Sequence, residues 1–290
     1  MMAASGDVVS IEAPHRRRSS LRRSAAMSAG LVIAAALVFA ATFAPYIAPA
    51  DPTSMDFQAP FHPPNRAHPF GTDNFGRDVL SRVLFGYRTS LLVGTGSVAL
   101  SLVGGIPLGL LAGYLGGAVD HLIMRPMDAL IAFPAILLTV ALAGVLGTST
   151  FVLMIVIAVV YLPIMVRTMR AAVLAVRAEP FVEGARARGA SNLRLALRHV
   201  LPNAIDPVLI QASILMGIAI LIEATLSFLG LGTQPPNPSL GLMLADGRDI
   251  MRDAPWVVVF PGLAIMLAVL SFNLTADGLR DVLDPKADRI

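Results

Sequence analysis

Long uncharged apolar runs alternate with short charged stretches along this chain, the pattern of helices that cross a bilayer. The first run, Ala25 to Ala50, follows a basic stretch with Arg16, Arg17, Arg18, Arg22 and Arg23. In outline it resembles a secretory leader. At about 1.5 Å per residue, however, it can cross a hydrocarbon core of roughly 30 Å, and its basic stretch is long. A retained anchor over 25–48, preceded by a cytoplasmic tail over 1–24, is the favoured reading.

A proline-rich stretch with Pro49, Pro52, Pro60, Pro63, Pro64 and Pro69 follows; it cannot sustain a helix and reads as an extracytoplasmic loop over 49–88. At its end Val79, Leu80, Val83, Leu84 and Tyr87 recur at helical spacing, as in a short helix lying in the interface or a soluble connecting helix. The run from Thr89 to Val119 is the second span. In it Gly105, Gly109, Gly113 and Gly117 share one face, where small residues let another helix approach closely, and Pro107 implies a kink. Ala129 to Val166 would be about 57 Å long as one helix, so it must fold back at Gly147, Thr148, Ser149 and Thr150. The third and fourth spans are then about 122–146 and 151–169. A fifth covers about 205–229 and a sixth about 256–276, with a polar tail over 277–290.

The expected fold is therefore an all-α polytopic membrane protein of about six transmembrane helices with both termini cytoplasmic, its transmembrane core over 89–276. Composition agrees: 56% of residues are hydrophobic and 14% charged. On this topology sixteen Lys and Arg residues fall inside and six outside, as the positive-inside rule requires. Tyr46 and Trp256 fall at outer interfaces. The net charge of +3 does not form a basic stripe on a soluble face, so nucleic acid is not an expected partner; membrane lipid is. With no cysteine, disulfides, thiolate metal sites and thiol nucleophiles are excluded. The sole lysine, Lys286, follows DVLDP, so a phosphate-binding GxxxxGK[ST] loop cannot be built. HExxH and GxSxG are absent as well, and no catalytic residue or metal site is expected.

The inside loop over 176–204 differs from a passive connector. Pro180 can open a short helix that stops at Gly189, and Ser191 can cap a second, from about 192 to 199, ended at Pro202. Such a basic helix-turn-helix suits the docking of a soluble partner; alternatively it rests on anionic headgroups. Glu183, Gly184 and Ala185, three residues, Gly189, nine residues, then His199, Val200, Leu201 and Pro202 resemble the EAA loop of ABC importer permeases. Gly184 stands where that pattern has alanine, and His199 where it has isoleucine. Three more stretches, HPFGTDNFGRDVLSRVLFGYRTSL from His68, EATLSFLGLGTQPPNPSLGLML from Glu223 and FNLTADGLRDVLDP from Phe272, resemble the C-type permease of dipeptide and oligopeptide importers. In the last of these, Thr275 and Ala276 depart from the commoner Leu-Gly.

The resemblance, which spans residues 24–285, implies a type I ABC importer permease in a bacterial cytoplasmic membrane. It implies a B-type permease partner, two ATPase domains or subunits and an extracytoplasmic peptide-binding protein. ATP and Mg would be bound by the ATPases, with no cofactor in this chain. Glu183, Gly184, Ala185, Gly189, Leu201 and Pro202 would form the coupling element. Ionisable residues within spans are functional candidates by default. Glu223 could line the translocation path or pair with Arg248 or Arg252, and Asp128 could line the path or pair near Arg125. The thirteen methionines read as adaptable packing, with a metal pathway as the sharper alternative. A permease for nickel or another solute, a secondary transporter with internal repeats, and a non-transporting structural subunit are the competing classes.

Overall fold

The computed structural model describes the backbone of residues 16–283 and side chains from residue 27 onward. Most of the basic tail, and the tail beyond Leu283 with Lys286, lie outside the described residues. In chain order the helices are α1 (Arg16–Thr42), α2 (Ala44–Ile47), α3 (Val79–Leu115), α4 (Gly117–Ile131), α5 (Ala135–Leu146), α6 (Thr150–Arg177), α7 (Pro180–Ala187) and α8 (Asn192–Arg194). A π-helical turn over Leu195–Val200 leads into α9 (Leu201–Ala204), α10 (Asp206–Phe228), α11 (Leu240–Gly247) and α12 (Trp256–Leu283). Four of them, α3, α6, α10 and α12, are each long and apolar enough to cross a membrane, and α4 with α5 makes a fifth. The apolar part of α1, Met27–Thr42, is shorter.

Several elements differ from the sequence expectation: α6 and α12 run about two turns past the expected ends at 169 and 276, so the start of the expected tail is helical. The amphipathic stretch before Thr89 is no separate interfacial or connecting helix, because it forms the first turns of α3, which runs unbroken through Pro107 to a cap at Gly116. Asp78 opens α3, its carboxylate accepting from the Ser81 N–H, so the helix starts at a side-chain cap instead of at the first purely apolar residue. The third span is broken. Between α4 and α5 the chain bends by 92° at Ala132, Phe133 and Pro134, where Pro134 cannot donate to a continuing helix. The expected turn after α5 is present: Gly147 has φ +100° and Ser149 caps α6.

The glycine face does what its spacing demands. A methyl group at Gly105 would fall 2.5 Å from Met165 Cβ, and one at Gly109 2.5 Å from Met169 Cβ. One at Gly113 would lie 2.9 Å from both Val173 Cβ and the Arg170 carbonyl. Helices α3 and α6 therefore pack backbone to backbone and parallel, with α4 and α5 as the return. Lipid supplies no hydrophobic drive for such pairing, so close contact carries it. Gly117 falls outside this face: it lies past the end of α3 at φ +54° with open space around it. Gly30 on α1 meets Leu274 and Thr275 of α12 in the same manner. Contacts at both ends of α3 define two ends of the bundle. One, the loop end, holds residues 49–78, the starts of α3, α6 and α12, and α11. The other, the hairpin end, holds residues 178–205.

Candidate functional site

At the hairpin end, local sequence signals build a compact hairpin. Pro180 occupies the first helical turn of α7, where its missing N–H costs nothing. Arg188 caps α7, and Gly189 at φ +85° turns the chain so that the Ala190 N–H reaches the Ala185 carbonyl at 3.2 Å. The Ser191 hydroxyl accepts from the Arg194 N–H. Val182, Ala185, Leu195, Ala196 and Val200 are buried between the two arms and the bundle, whereas Glu183, Gly189 and Pro202 are exposed, and Gly184 and Leu201 half-exposed. The expected coupling residues thus form one hairpin, pinned by its apolar face and open on its polar one. A methyl group at Gly184 would meet only the end of Arg188, at 3.9 Å, so glycine in place of alanine there leaves the packing intact.

The second arm does not stop at Pro202. It widens into the π turn, in which the Leu201 N–H bonds the Ala196 carbonyl, and continues as α9 through Pro202 to Ala204. The wider turn accommodates a proline that an α-helix would exclude. Tyr114, at the end of α3, reaches Asn192 at 3.3 Å, and Arg177 donates to the Gly113 and Tyr114 carbonyls at 3.3 and 2.7 Å. The second arm, and the end of α6 that leads into the first, are thereby tied to α3, which runs to the opposite end.

Asp128 and Glu223 have partners other than those expected. Asp128 is exposed and receives Arg167 of α6 at 2.6 Å rather than Arg125. Its neighbour Asp120 forms a two-pronged pair with Arg170 at 2.6 and 2.5 Å. Glu223 is fully enclosed, with three hydroxyls around its carboxylate: Ser90 at 2.6 Å, Ser227 at 2.8 Å and Ser239 at 3.1 Å. Neither Arg248 nor Arg252 reaches it, and Arg248 pairs with Asp249. The carboxylate joins α3, α10 and the start of α11 at the loop end.

A second buried cluster there escaped sequence reasoning. Asp73 accepts from Arg77 Nε at 2.6 Å and lies 3.5 Å from Arg82 Nε, while Asp246 of α11 lies 3.7 Å from Arg77. Burial pushes the Asp246 carboxyl above the usual range, with the Arg77 and Arg82 charges opposing the shift. Asp73 and Arg77, four residues apart, were the available signal; the roles of Arg82 and Asp246 are set by tertiary contact. Beside the cluster, His68 reaches the Asp78 cap at 2.9 Å and Trp256 donates to the Thr72 carbonyl at 3.0 Å. The loop over 49–78 is thereby fastened to the bundle.

The model of the binding-protein-dependent transport system inner membrane component family matches residues 105–289. That of the N-terminal membrane domain of oligopeptide transport permease C matches residues 16–64. A dipeptide transport system permease protein of Alkalihalophilus pseudofirmus is 44% identical over 266 residues, covering 92% of this chain and 88% of the relative. A probable D,D-dipeptide transport system permease protein of Escherichia coli is 45% identical, covering 88% and 86%. A glutathione transport system permease protein of Pectobacterium atrosepticum is 41% identical, covering 96% and 93%.

Proposed function

Because the chain belongs to the family of binding-protein-dependent transport system inner membrane components, and is a multi-pass protein of that membrane, we propose that it is a pore-forming subunit of an ATP-driven importer of dipeptides and short oligopeptides, docked to its ATPases through the 176–204 segment. The observation that carries this reading is the hairpin end, where an apolar face locks two short arms to the bundle and leaves Glu183 and Gly189 uncovered. A loop serving only as a connector needs no such construction.

In this reading the hairpin end and both termini face the cytoplasm, and the loop end faces outward. ATP and Mg are bound by two separate ATPase domains whose closure pushes on the hairpin, because this chain lacks a phosphate loop. Tyr114, Asn192 and Arg177 carry the push into α3 and α6. A B-type permease completes the pathway, and an extracytoplasmic peptide-binding protein delivers substrate at the loop end. The peptide assignment follows the names of the dipeptide and D,D-dipeptide relatives.

Purification of the tagged chain in mild detergent, with its stoichiometric companions identified by mass spectrometry, tests the proposal. A second permease, an ATPase and a binding protein are expected, and Gly189→Arg is expected to lose the ATPase selectively. Repeated recovery without any ATPase would refute the docking role and favour a hairpin resting on lipid.

A further inference from the structure

Residues 49–78 form a small folded unit at the start of α3. Backbone bonds run across it: the Asp56 N–H to the Phe75 carbonyl at 3.0 Å, the Phe61 N–H to the Asp73 carbonyl at 3.0 Å, and the Thr72 N–H to the His62 carbonyl at 2.9 Å. A methyl group at Gly76 would collide with the Asp56 carbonyl, so the two segments meet backbone to backbone. From this braced unit Phe57 stands 72% exposed, and Met55, Phe61 and Phe75 are exposed as well. The Phe75 ring carries the Arg77 guanidinium 4.6 Å from its centre, a contact that orients it.

On the spans, exposed leucine and valine are what lipid requires. This unit lies elsewhere. The Ala50 N–H bonds the Ser81 hydroxyl at 3.1 Å and Arg82 donates to the Pro52 carbonyl at 3.3 Å, which sets the unit level with the first turn of α3. The uncharged run of α3 begins only at Thr89, about 12 Å further along the helix. A headgroup layer is about 5–8 Å deep, and a tilt of about 20° shortens the distance by only about 1 Å. The rings therefore stand in water, where apolar groups gathered in one place mark a contact with another protein. Phe61 adds an independent sign. Among the described residues it is the one non-glycine with a positive φ, +53°, a conformation unfavourable for a bulky side chain. Glycine or asparagine would make that turn without strain, so an aromatic ring stands there against the local preference.

Two observations choose the partner. The family is described as depending on a binding protein, a soluble partner that in the importer reading meets the permease at the loop end. Met55, Phe57 and Phe61 fall within the match to oligopeptide transport permease C and outside the match to the general transport component, which ties this unit to the peptide branch. We propose that Phe57, Phe61 and Phe75 form a docking surface for the extracytoplasmic peptide-binding protein, their rings entering apolar hollows on it. The inference rests on the importer reading. Rigidly held aromatic rings concentrate binding energy in contacts between proteins, and a unit fastened to α3 carries the contact directly into a membrane-spanning helix.

The test uses the assembled importer in nanodiscs and the binding protein recovered with it, loaded with Ala-Ala, and reads the dissociation constant by biolayer interferometry. Phe57→Ser is expected to raise that constant at least about tenfold and Phe57→Tyr less than about threefold. Tyr46→Ser removes an exposed ring of α2, outside the unit, and should stay within about twofold of the parent. Phe61→Gly separates docking from folding, because glycine is unstrained there: docking should weaken at least about fivefold while the thermal midpoint holds or rises. Unchanged constants for Phe57→Ser and Phe61→Gly, with normal binding by the parent, overturn the surface and leave the importer reading intact. Weaker docking with a lower midpoint in Phe61→Gly assigns that ring to the packing of the loop and overturns its docking role. Loss of the second permease from the Phe57→Ser complex on size exclusion overturns the proposal in favour of a contact between permeases. A weakening seen in nanodiscs and absent in detergent micelles overturns it in favour of a lipid contact. A parent complex that associates with no binding protein removes the importer reading and the surface together.

Discussion

The two ends of the bundle are held together by opposite means. At the loop end most bonds are long in sequence and wholly or partly buried: Ser90 to Glu223, Tyr87 to the Ala264 carbonyl at 2.9 Å and Trp256 to the Thr72 carbonyl, beside a buried local cluster that sets Asp73 between two arginines. At the hairpin end they are short in sequence and largely exposed: a proline, a left-handed glycine and a serine cap within twelve residues of one another. Buried polar groups cost far more when a partner is removed than exposed ones do. The loop end is therefore built to resist local change and the hairpin to report it, an arrangement that suits a fixed scaffold at one end and a contact surface at the other.

Substitutions at the two ends should separate cleanly. The largest effect is expected for Asp73→Ala, which leaves Arg77 and Arg82 buried without their main counter-charge and should cost about 3–5 kcal/mol; heating in detergent followed by size exclusion should show a midpoint lower by many degrees, and an unchanged midpoint would contradict the contrast. Glu223→Leu strands three hydroxyls and should cost about 2–4 kcal/mol. That cost should shrink when Ser90, Ser227 and Ser239 are also alanine, because the groups act as a unit. Gly109→Val, forced against Met169, should cost about 1–3 kcal/mol, whereas Gly144→Ala, with open space around it, should fall within about 0.5 kcal/mol of the parent. Ser191→Ala should be the mildest, removing one cap for about 1 kcal/mol. Its signature is faster amide exchange at Asn192 to Arg194 with the global midpoint unmoved; a global shift would show that the hairpin is not locally held.

This difference also decided what could be read in advance. The hairpin was legible because its determinants lie next to one another: Pro180 as a first-turn residue, Gly189 as a turn and Ser191 as a cap are all identifiable one residue at a time. The apolar runs gave α10 almost to its ends and the starts of α6 and α12, whose last two turns carry charged residues and run on to Arg177 and Leu283, and glycines four residues apart marked a close-packing face without naming α6 as its partner. What escaped depends on groups far apart in the chain. No local pattern says that Glu223 meets Ser90 and Ser239, or that Arg167 takes Asp128 in place of Arg125. Apolar content likewise does not report backbone direction, so the run through Phe133 and Pro134 read as one straight span although the chain turns there by 92°. The π turn before Pro202 was hidden for a related reason, since a proline signals helix termination and widening of the preceding turn equally well.

The glycine contact between α3 and α6 has a mechanical corollary. With methionine and valine side chains seated against Gly105, Gly109 and Gly113, sliding one helix past the other by a single residue would drive a side chain into backbone, so the pair moves as one rigid body. Any rearrangement that opens one face of the protein and closes the other is thereby confined to the joints around that body: Gly116 and Gly117 after α3, the bend at Ala132 to Pro134, and the break at Ile205 before α10. Immobilising those three joints, and not the helices between them, is how such a motion would be arrested.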